Sequence, residues 1–407
     1  MRHQHLAHIA LLSLGLSLAA CGGGGGGGGG GNNGGDSDPM VDDQARRAVL
    51  SDLGNHIILP TLRDLDTAMA QLATRVSDLA GAPADSAARA AAQQAWRAAM
   101  IPAQRAEVLQ IGPGARSSEP GGMDLRDQIY AYPLLNQCRI HRAAYASEGV
   151  DANSPIDGTG LGALEYLLFE DVDNSSCPPD QGVDASALRA AHASRVADRA
   201  AAVAAQLRDE WEPSGDNFLA EFANAGNGGM TYDSPQDALD AVSVAIFYAE
   251  EEGKDRKLAG PTGIGGTGIP PCTTVSCPER VESRFAGGSG DHIENNLRAL
   301  RDVFSGGASG MGLNDLLRGV GREDLATRII AEIDAALATE AQISDFEAEI
   351  TGITDRTACV NASANRTGEP AVCRFHGLVD RSTDTLRAEV TSVLNLRMPL
   401  NAAGDND

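Results

Sequence analysis

Apolar residues recur at helical spacing along most of the chain. The clearest stripe comprises Leu50, Leu53, Ile57, Leu62, Leu65, Met69, Leu72, Val76 and Leu79. This spacing places the side chains on one face of a helix, and Pro60, which lacks an N–H, is expected to kink it. The same periodicity predicts helices at about residues 86–109, 125–147, 161–169, 185–211, 234–252, 289–304, 313–317, 323–338, 343–353 and 377–396. No segment shows the sustained apolar–polar alternation of a strand, so we predict an all-α fold.

The order of these helices predicts two bundles. A loop rich in Gly and Asn follows Trp211, and Ser234-Pro235 then opens a new helix with a capping serine and a proline at the first position. We expect a first helical bundle at residues 43–212 and a second at 213–398. The two would pack side by side with a cleft between them, and a tail would follow at 399–407.

The first 42 residues predict export and a lipid anchor. The apolar run from Leu6 to Leu18 is too short to span a bilayer as a helix, so we predict a signal peptide at residues 1–20. Cys21 follows Leu-Ala-Ala and resembles the acylated cysteine of bacterial lipoproteins. The alternative is an ordinary signal peptide with an incidental cysteine. The uninterrupted glycines after Cys21 predict a flexible tether at 21–42.

In the Gram-negative lipoproteins that this segment resembles, an aspartate directly after the cysteine indicates the inner membrane. Here that residue is Gly22. We therefore expect a cell-envelope protein on the periplasmic side of the outer membrane, attached through Cys21 and accessible to envelope partner proteins. The formal net charge of −24 disfavours nucleic acid as a partner, although solubility alone also accounts for such a charge. Lys254 and Lys257 are the only lysines, which we interpret as a coding bias towards arginine.

Six further cysteines predict disulfides, since the chain is exported and their number is even. Proximity in the sequence favours Cys272–Cys277 and Cys359–Cys373, which leaves Cys138–Cys177. A metal site at Cys272 and Cys277 is the weaker alternative, because no matching Cys or His pair lies nearby.

Glu165 is the residue that most directly suggests a functional site. It interrupts the apolar segment Gly160–Phe169, and a buried carboxylate needs an arginine, a metal or a polar cleft. The structural alternative is that Glu165 faces water. The common catalytic motifs are absent from the sequence, and the scattered histidines give no ligand pattern.

The acidic run Glu250-Glu251-Glu252 could attract a hard cation. Consecutive helical residues point in different directions, however, so these carboxylates are not expected to converge on one ion. We interpret the run as a solvated helix end.

Several motifs in the right order together resemble the imelysin-like family of bacterial envelope proteins. The segment Gly160–Phe169 resembles its Gly-x-His-x-x-Glu motif, and Leu125–Leu134 resembles its Ile-x-x-Trp-Pro segment, with Tyr132 in the Trp place. The remaining matches are Trp96-Arg97, Glu107, Gly112-Pro113, Arg256-Lys257-Leu258 with Pro261 and Gly263, and Glu282-Ser283-Arg284-Phe285 with Asp291 and Asn295-Asn296-Leu297. The resemblance covers about residues 45 to 397.

This resemblance implies helical bundles with a functional cleft, a link to iron uptake, and a founding activity described as a metal-dependent peptidase. The family's His falls at Gly162, which has no side chain, so peptidase chemistry is disfavoured. Glu107, Glu165, Arg256 and Glu282 are the candidate ligand or metal-binding residues, and a metal ion (iron or another divalent cation) is the candidate cofactor. We expect a non-enzymatic binding protein for metal uptake; the alternatives are an envelope metallopeptidase and a structural or partner-binding lipoprotein with a decayed site.

Overall fold

The computed structural model describes residues 41–170, 185–266 and 268–399. The predicted signal peptide, Cys21, nearly all of the tether, Cys177 and all but the first residue of the tail lie outside these ranges. The α-helices are α1 Asp43–Leu53, α2 Leu59–Gly81, α3 Ser86–Val108, α4 Leu125–Ile129, α5 Gln137–Tyr145, α6 Gly160–Phe169, α7 Ala185–Trp211, α8 Phe218–Ala223, α9 Pro235–Ile246, α10 Gly260–Thr262, α11 Ser289–Ser305, α12 Leu313–Gly319, α13 Glu323–Glu340, α14 Phe346–Thr351, α15 Arg356–Asn365, α16 Ala371–Thr385 and α17 Thr391–Leu394. No strand occurs within the described ranges, which confirms the all-α prediction.

The backbone is π-helical in three places that interrupt otherwise continuous helices: Gly54–Ile58, Ala249–Ala259 and Leu386–Val390. The first lies between α1 and α2, immediately before Pro60. Pro60 cannot donate a backbone hydrogen bond, and the predicted disturbance of the first long helix is found at this point. The second π-helical segment carries the two lysines and is central to the site described below.

The third predicted helix, residues 125–147, is wrong as a continuous element. α4 ends at Ile129 and α5 begins only at Gln137. Pro133 is the physical reason, because proline drives the residue before it out of the α conformation. The extended segment between α4 and α5 is thereby free to line cavities.

Other boundaries also differ from the predictions. α15 and the short α8 were not predicted, and α16 begins six residues before the predicted start at 377. Asp355 caps α15 by accepting the backbone N–H groups of Thr357 and Ala358. In contrast, the predicted start at Ser234 is confirmed, since its hydroxyl accepts the backbone N–H of Asp237 at 3.1 Å.

The core is built by packing long helices in pairs. α2 packs against α3 and α7, α11 packs against α3, and α13 and α15 pack against α16. The whole apolar stripe from Leu50 to Leu79 is buried. The described helices belong to one compact unit, so the division into bundles at residues 212/213 stays a prediction. None of the described helices is both long and apolar enough to cross a bilayer.

Two of the three predicted disulfides are confirmed. Cys272 is bonded to Cys277, and Cys359 is bonded to Cys373 on the neighbouring helix. The second links α15 to α16 close to their junction. The third pair, Cys138–Cys177, stays a prediction because Cys177 lies outside the described residues.

Candidate functional site

The centre of the candidate site is the ammonium group of Lys257, whose side chain is completely buried. Its Nζ donates to Gln104 Oε1 at 2.7 Å and to Asn296 Oδ1 at 2.9 Å. It also lies 3.1 Å from Glu107 Oε2 and 3.0 Å from Glu282 Oε1. Four oxygens from α3, α11 and the segment before α11 therefore surround one nitrogen.

Two carboxylates share this single ammonium. Glu107 is fully buried on α3, and its second oxygen accepts from Arg126 Nη1 at 3.3 Å. Glu282 Oε1 also accepts from Gln104 Nε2 at 2.9 Å and from the Tyr130 hydroxyl at 2.8 Å. Charge-assisted bonds of this kind offset the cost of burying both carboxylates.

The other oxygen of Glu282, Oε2, lies 3.4 Å from His292 Nδ1. Burial alone would raise the pKa of Glu282, but Lys257 and then His292 outweigh burial and lower the pKa to about 2. Oε1 of Glu282 is thus held by hydrogen bonds, whereas Oε2 lies at ion-pair distance from His292 and has no hydrogen-bond partner among the described residues.

Glu165 projects from α6 towards the segment before α11 and is 3% exposed. Its Oε1 accepts three bonds, from Ser283 Oγ at 2.9 Å and from the backbone N–H groups of Phe285 at 3.1 Å and Ala286 at 3.0 Å. Burial raises the pKa of Glu165, and these bonds offset only part of that effect. Glu165 Oε2 takes part in none of these bonds.

Tyr130 connects the three predicted glutamates. Its hydroxyl donates to Glu282, and burial, followed by the charges of Glu282, Glu107 and Glu165, raises the pKa of the phenol well above its ordinary value. The structure therefore brings Glu107, Glu165 and Glu282 around one buried tyrosine.

A cavity of about 320 Å³, which we call the Glu165 cavity, opens beside this network. Its lining includes Tyr130, Tyr132, Gly162, Glu165, Arg256 and Phe285. A Cβ added at Gly162 would meet only Leu135 and Tyr130, both at 3.8 Å. The missing side chain at this position therefore leaves space that belongs to the cavity.

Arg256 lies at the mouth and does not contact the Lys257 network. It forms an ion pair with Glu252 at 3.1 Å and remains 45% exposed. It also lines a second cavity of about 770 Å³ together with Tyr132, Tyr248, Glu251 and Glu252. Burial, although opposed by Arg256 and Lys257, raises the pKa of Glu252 to about 7.

The interpretation of Glu250–Glu252 as a solvated helix end is wrong. Glu250 is buried and lies 3.5 Å from Arg387, whereas Glu251 and Glu252 line the larger cavity. The reason is that the helix does not end there, because the π-helical segment continues to Ala259 and packs against α16. As expected, the three carboxylates do not converge.

The arrangement does not fit a bare metal ion as it stands. Among the residues that the structure describes, no group of three or more His, Cys, Asp and Glu is placed to hold one. Lys257, Arg126 and His292 already engage Glu107 and Glu282, and Gly162 offers no ligand. Of the cavity-lining carboxylates, Glu165 through Oε2, Glu282 through Oε2 and Glu279 each have an oxygen outside the hydrogen bonds described above.

Arg256 was a predicted site residue, but Lys257, Gln104, Tyr130, His292 and Asn296 were not, although Lys257, Tyr130 and Asn296 lie within the family-like motifs. The sequence did contain a feature that could have identified Lys257. The chain uses arginine at thirty positions and lysine at only two, and both lysines are buried in one π-helical segment. A compact ammonium fits a cage of single oxygens where a planar guanidinium does not, and π-helical segments are frequent at functional sites.

Comparisons with known proteins agree with this assignment of the fold. The imelysin family model matches residues 58–372. A crystal structure from Parabacteroides distasonis ATCC 8503, named as an iron-regulated protein A precursor, is 18% identical with a TM-score of 0.64 and covers 85% of this chain and 97% of its own. An imelysin-like protein from Psychrobacter arcticum 273-4 is 15% identical with a TM-score of 0.65, and the match covers 89% of this chain and 99% of that protein's chain. No curated protein sequence is significantly similar to this chain.

Proposed function

This chain belongs to the imelysin family, and we propose that it is a lipid-anchored, non-enzymatic binding protein of the cell envelope that takes part in metal acquisition, with iron as the first candidate. The Glu165 cavity is the proposed binding site. Cys21 and the glycine tether support the anchor and the periplasmic side of the outer membrane. The name of the Parabacteroides distasonis protein, which refers to iron regulation, supports the choice of metal.

One observation carries the choice of binding over hydrolysis: Lys257 occupies the position between Glu107 and Glu282. A catalytic zinc-type site needs about three protein ligands and an open position. Here the ammonium and its neighbours engage the two carboxylates, and Gly162 supplies no imidazole. The family's peptidase chemistry is therefore disfavoured by the residues themselves.

A purely structural role is the other alternative, and the cavity argues against it. Its volume of about 320 Å³ is within the range of small-ligand sites, and Glu165 lines it. A decayed site would be expected to fill with side chains, because interiors pack closely.

The test is to measure metal content and peptide hydrolysis on one preparation of the mature, untagged protein purified without chelators. We expect co-purified metal, no hydrolysis of a peptide mixture, and loss of the metal in Glu165→Gln with an unchanged helical circular-dichroism spectrum. Glu340→Gln is the matched control, since Glu340 is also buried, with burial raising its pKa to about 7, but lies outside the cavity lining. Metal-dependent cleavage would instead support a peptidase, and absence of metal from the parent would support a structural lipoprotein.

A further inference from the structure

We propose that the Glu165 cavity binds a small organic polycarboxylate anion, with the metal present as its chelate rather than as a bare ion. The metal part of this inference rests on the proposed function, whereas the anion part rests on the lining of the cavity.

The lining of the cavity is less acidic than the chain as a whole, because its arginines equal its glutamates in number. Acidic residues outnumber basic ones by 56 to 32 overall, yet the cavity is lined by Arg256, Arg280 and Arg284. The acids of the same lining are Glu165, Glu279 and Glu282. Glu282 is paired with Lys257, and Glu165 is buried, so Glu279 is the one acid of the lining that is exposed, at 61% of its side chain.

Arg256 is paired with Glu252, whereas the guanidinium groups of Arg280 and Arg284 are only partly compensated by the protein. Arg284 is exposed, and its guanidinium carbon lies 4.5 Å from the centre of the ring of its neighbour Phe285. Arg280 donates to the carbonyls of Pro270 and Pro271, which are neutral acceptors, and its nearest carboxylate, Glu279, lies 3.8 Å away. The rim therefore presents two partly compensated guanidinium groups, and such groups bind carboxylates through paired N–H donors.

The remaining walls suit the carbon skeleton of an organic ligand. Tyr130, Tyr132, Pro133, Leu135 and Phe285 supply apolar and aromatic surface next to the arginines. Tyr130 and Tyr132 are stacked with their planes 20° apart. A cavity that is largely apolar with a few convergent charges is typical of small-molecule sites and not of ion cages.

A bare cation is the less favoured occupant for a geometric reason. The oxygens around Lys257 are already arranged about an ammonium, and the described residues include no group of three or more His, Cys, Asp and Glu placed to hold an ion. A cation entering past the partly compensated Arg280 and Arg284 would also be repelled, whereas an anionic chelate would be attracted.

The test is titration calorimetry on the full mature protein with three probes: ferric citrate, metal-free citrate, and manganese(II) chloride in a non-coordinating buffer. We expect ferric citrate to bind, and Arg284→Gln to weaken binding about tenfold, as expected for loss of one charge-assisted contact. Arg298→Gln is the matched control, because Arg298 is an exposed arginine paired with Glu294 and does not line the cavity. Its affinity should equal that of the parent.

The outcomes separate this inference from the proposed function. Manganese binding that is unaffected by Arg284→Gln, with no binding of either citrate probe, would overturn the anion site and leave a metal-binding role standing. Citrate binding equally well with and without iron would uphold the anion site and remove the metal from the proposed function. Failure of all three probes would overturn both.

Discussion

Replacing Lys257 by methionine is the most informative perturbation of this protein. Methionine keeps much of the apolar stem but removes the one nitrogen that contacts Gln104, Glu107, Glu282 and Asn296. Breaking a buried ion pair by removing one partner costs about 3–5 kcal/mol, because the other charge stays buried without compensation. Glu107 retains its contact with Arg126, and Glu282 retains its contacts with Tyr130 and His292. We therefore expect the free energy of unfolding to fall by about 3–5 kcal/mol, and not by the sum of two broken ion pairs.

The pH dependence of this loss identifies its cause. In the parent, Glu282 has a folded pKa of about 2, below its unfolded value, so it contributes stability that is present above about pH 4.3 and is lost as the pH falls towards 2. Without Lys257, the burial of Glu282 is opposed by fewer positive charges and its pKa should rise. The difference between parent and variant is therefore expected to be largest at neutral pH and to shrink below about pH 5.

The measurement is urea unfolding followed by circular dichroism at pH 7.5 and pH 4.5. The double variant Lys257→Met with Glu282→Gln should recover part of the loss, because it removes the uncompensated charge. Arg298→Met, which breaks an exposed ion pair, should cost less than about 1 kcal/mol. A Lys257→Met variant within about 1 kcal/mol of the parent at pH 7.5, or a deficit that does not change with pH, would refute this account of the network.

Three further predictions follow from single features. Cys21→Ser should leave the body folded but release it from membranes, because acylation needs the thiol; cell fractionation that still finds the variant in the membrane pellet would contradict the lipid anchor. Peptide mapping without reduction should find Cys138 joined to Cys177 and no free thiol, and such a bridge typically stabilises by about 2–4 kcal/mol; a free thiol at either position would exclude the pair. Burial, together with Lys254, lowers the pKa of His376 to about 3, so the unfolded chain binds more protons than the folded protein between about pH 3 and 6.5. This residue should therefore lower the free energy of unfolding by about 2 kcal/mol as the pH falls from 7 to 5. His376→Gln should reduce that pH dependence in urea titrations, and an identical dependence in the variant would count against this assignment.

The sequence by itself determined those features that depend on neighbours along the chain. The stripe from Leu50 to Leu79 and the cap at Ser234 were predictable, because burial periodicity and capping are set within a few residues. Two disulfides, Cys272–Cys277 and Cys359–Cys373, were predictable for the same reason, because they close short loops. Glu165 was found because a charge in an apolar helix requires a partner wherever the helix packs.

Only the tertiary structure decided which groups meet. Lys257 contacts Gln104 and Glu107 across separations of 153 and 150 residues, and no local pattern encodes such a meeting. Arg256 and Lys257 are adjacent and both basic, yet the π-helical backbone directs Lys257 into the core and Arg256 to the cavity mouth. Sequence periodicity assumes regular helices, so it could not distinguish the two. The side of the helix that each residue faces, and with it the chemistry of the site, follows from an irregular backbone held in place by packing.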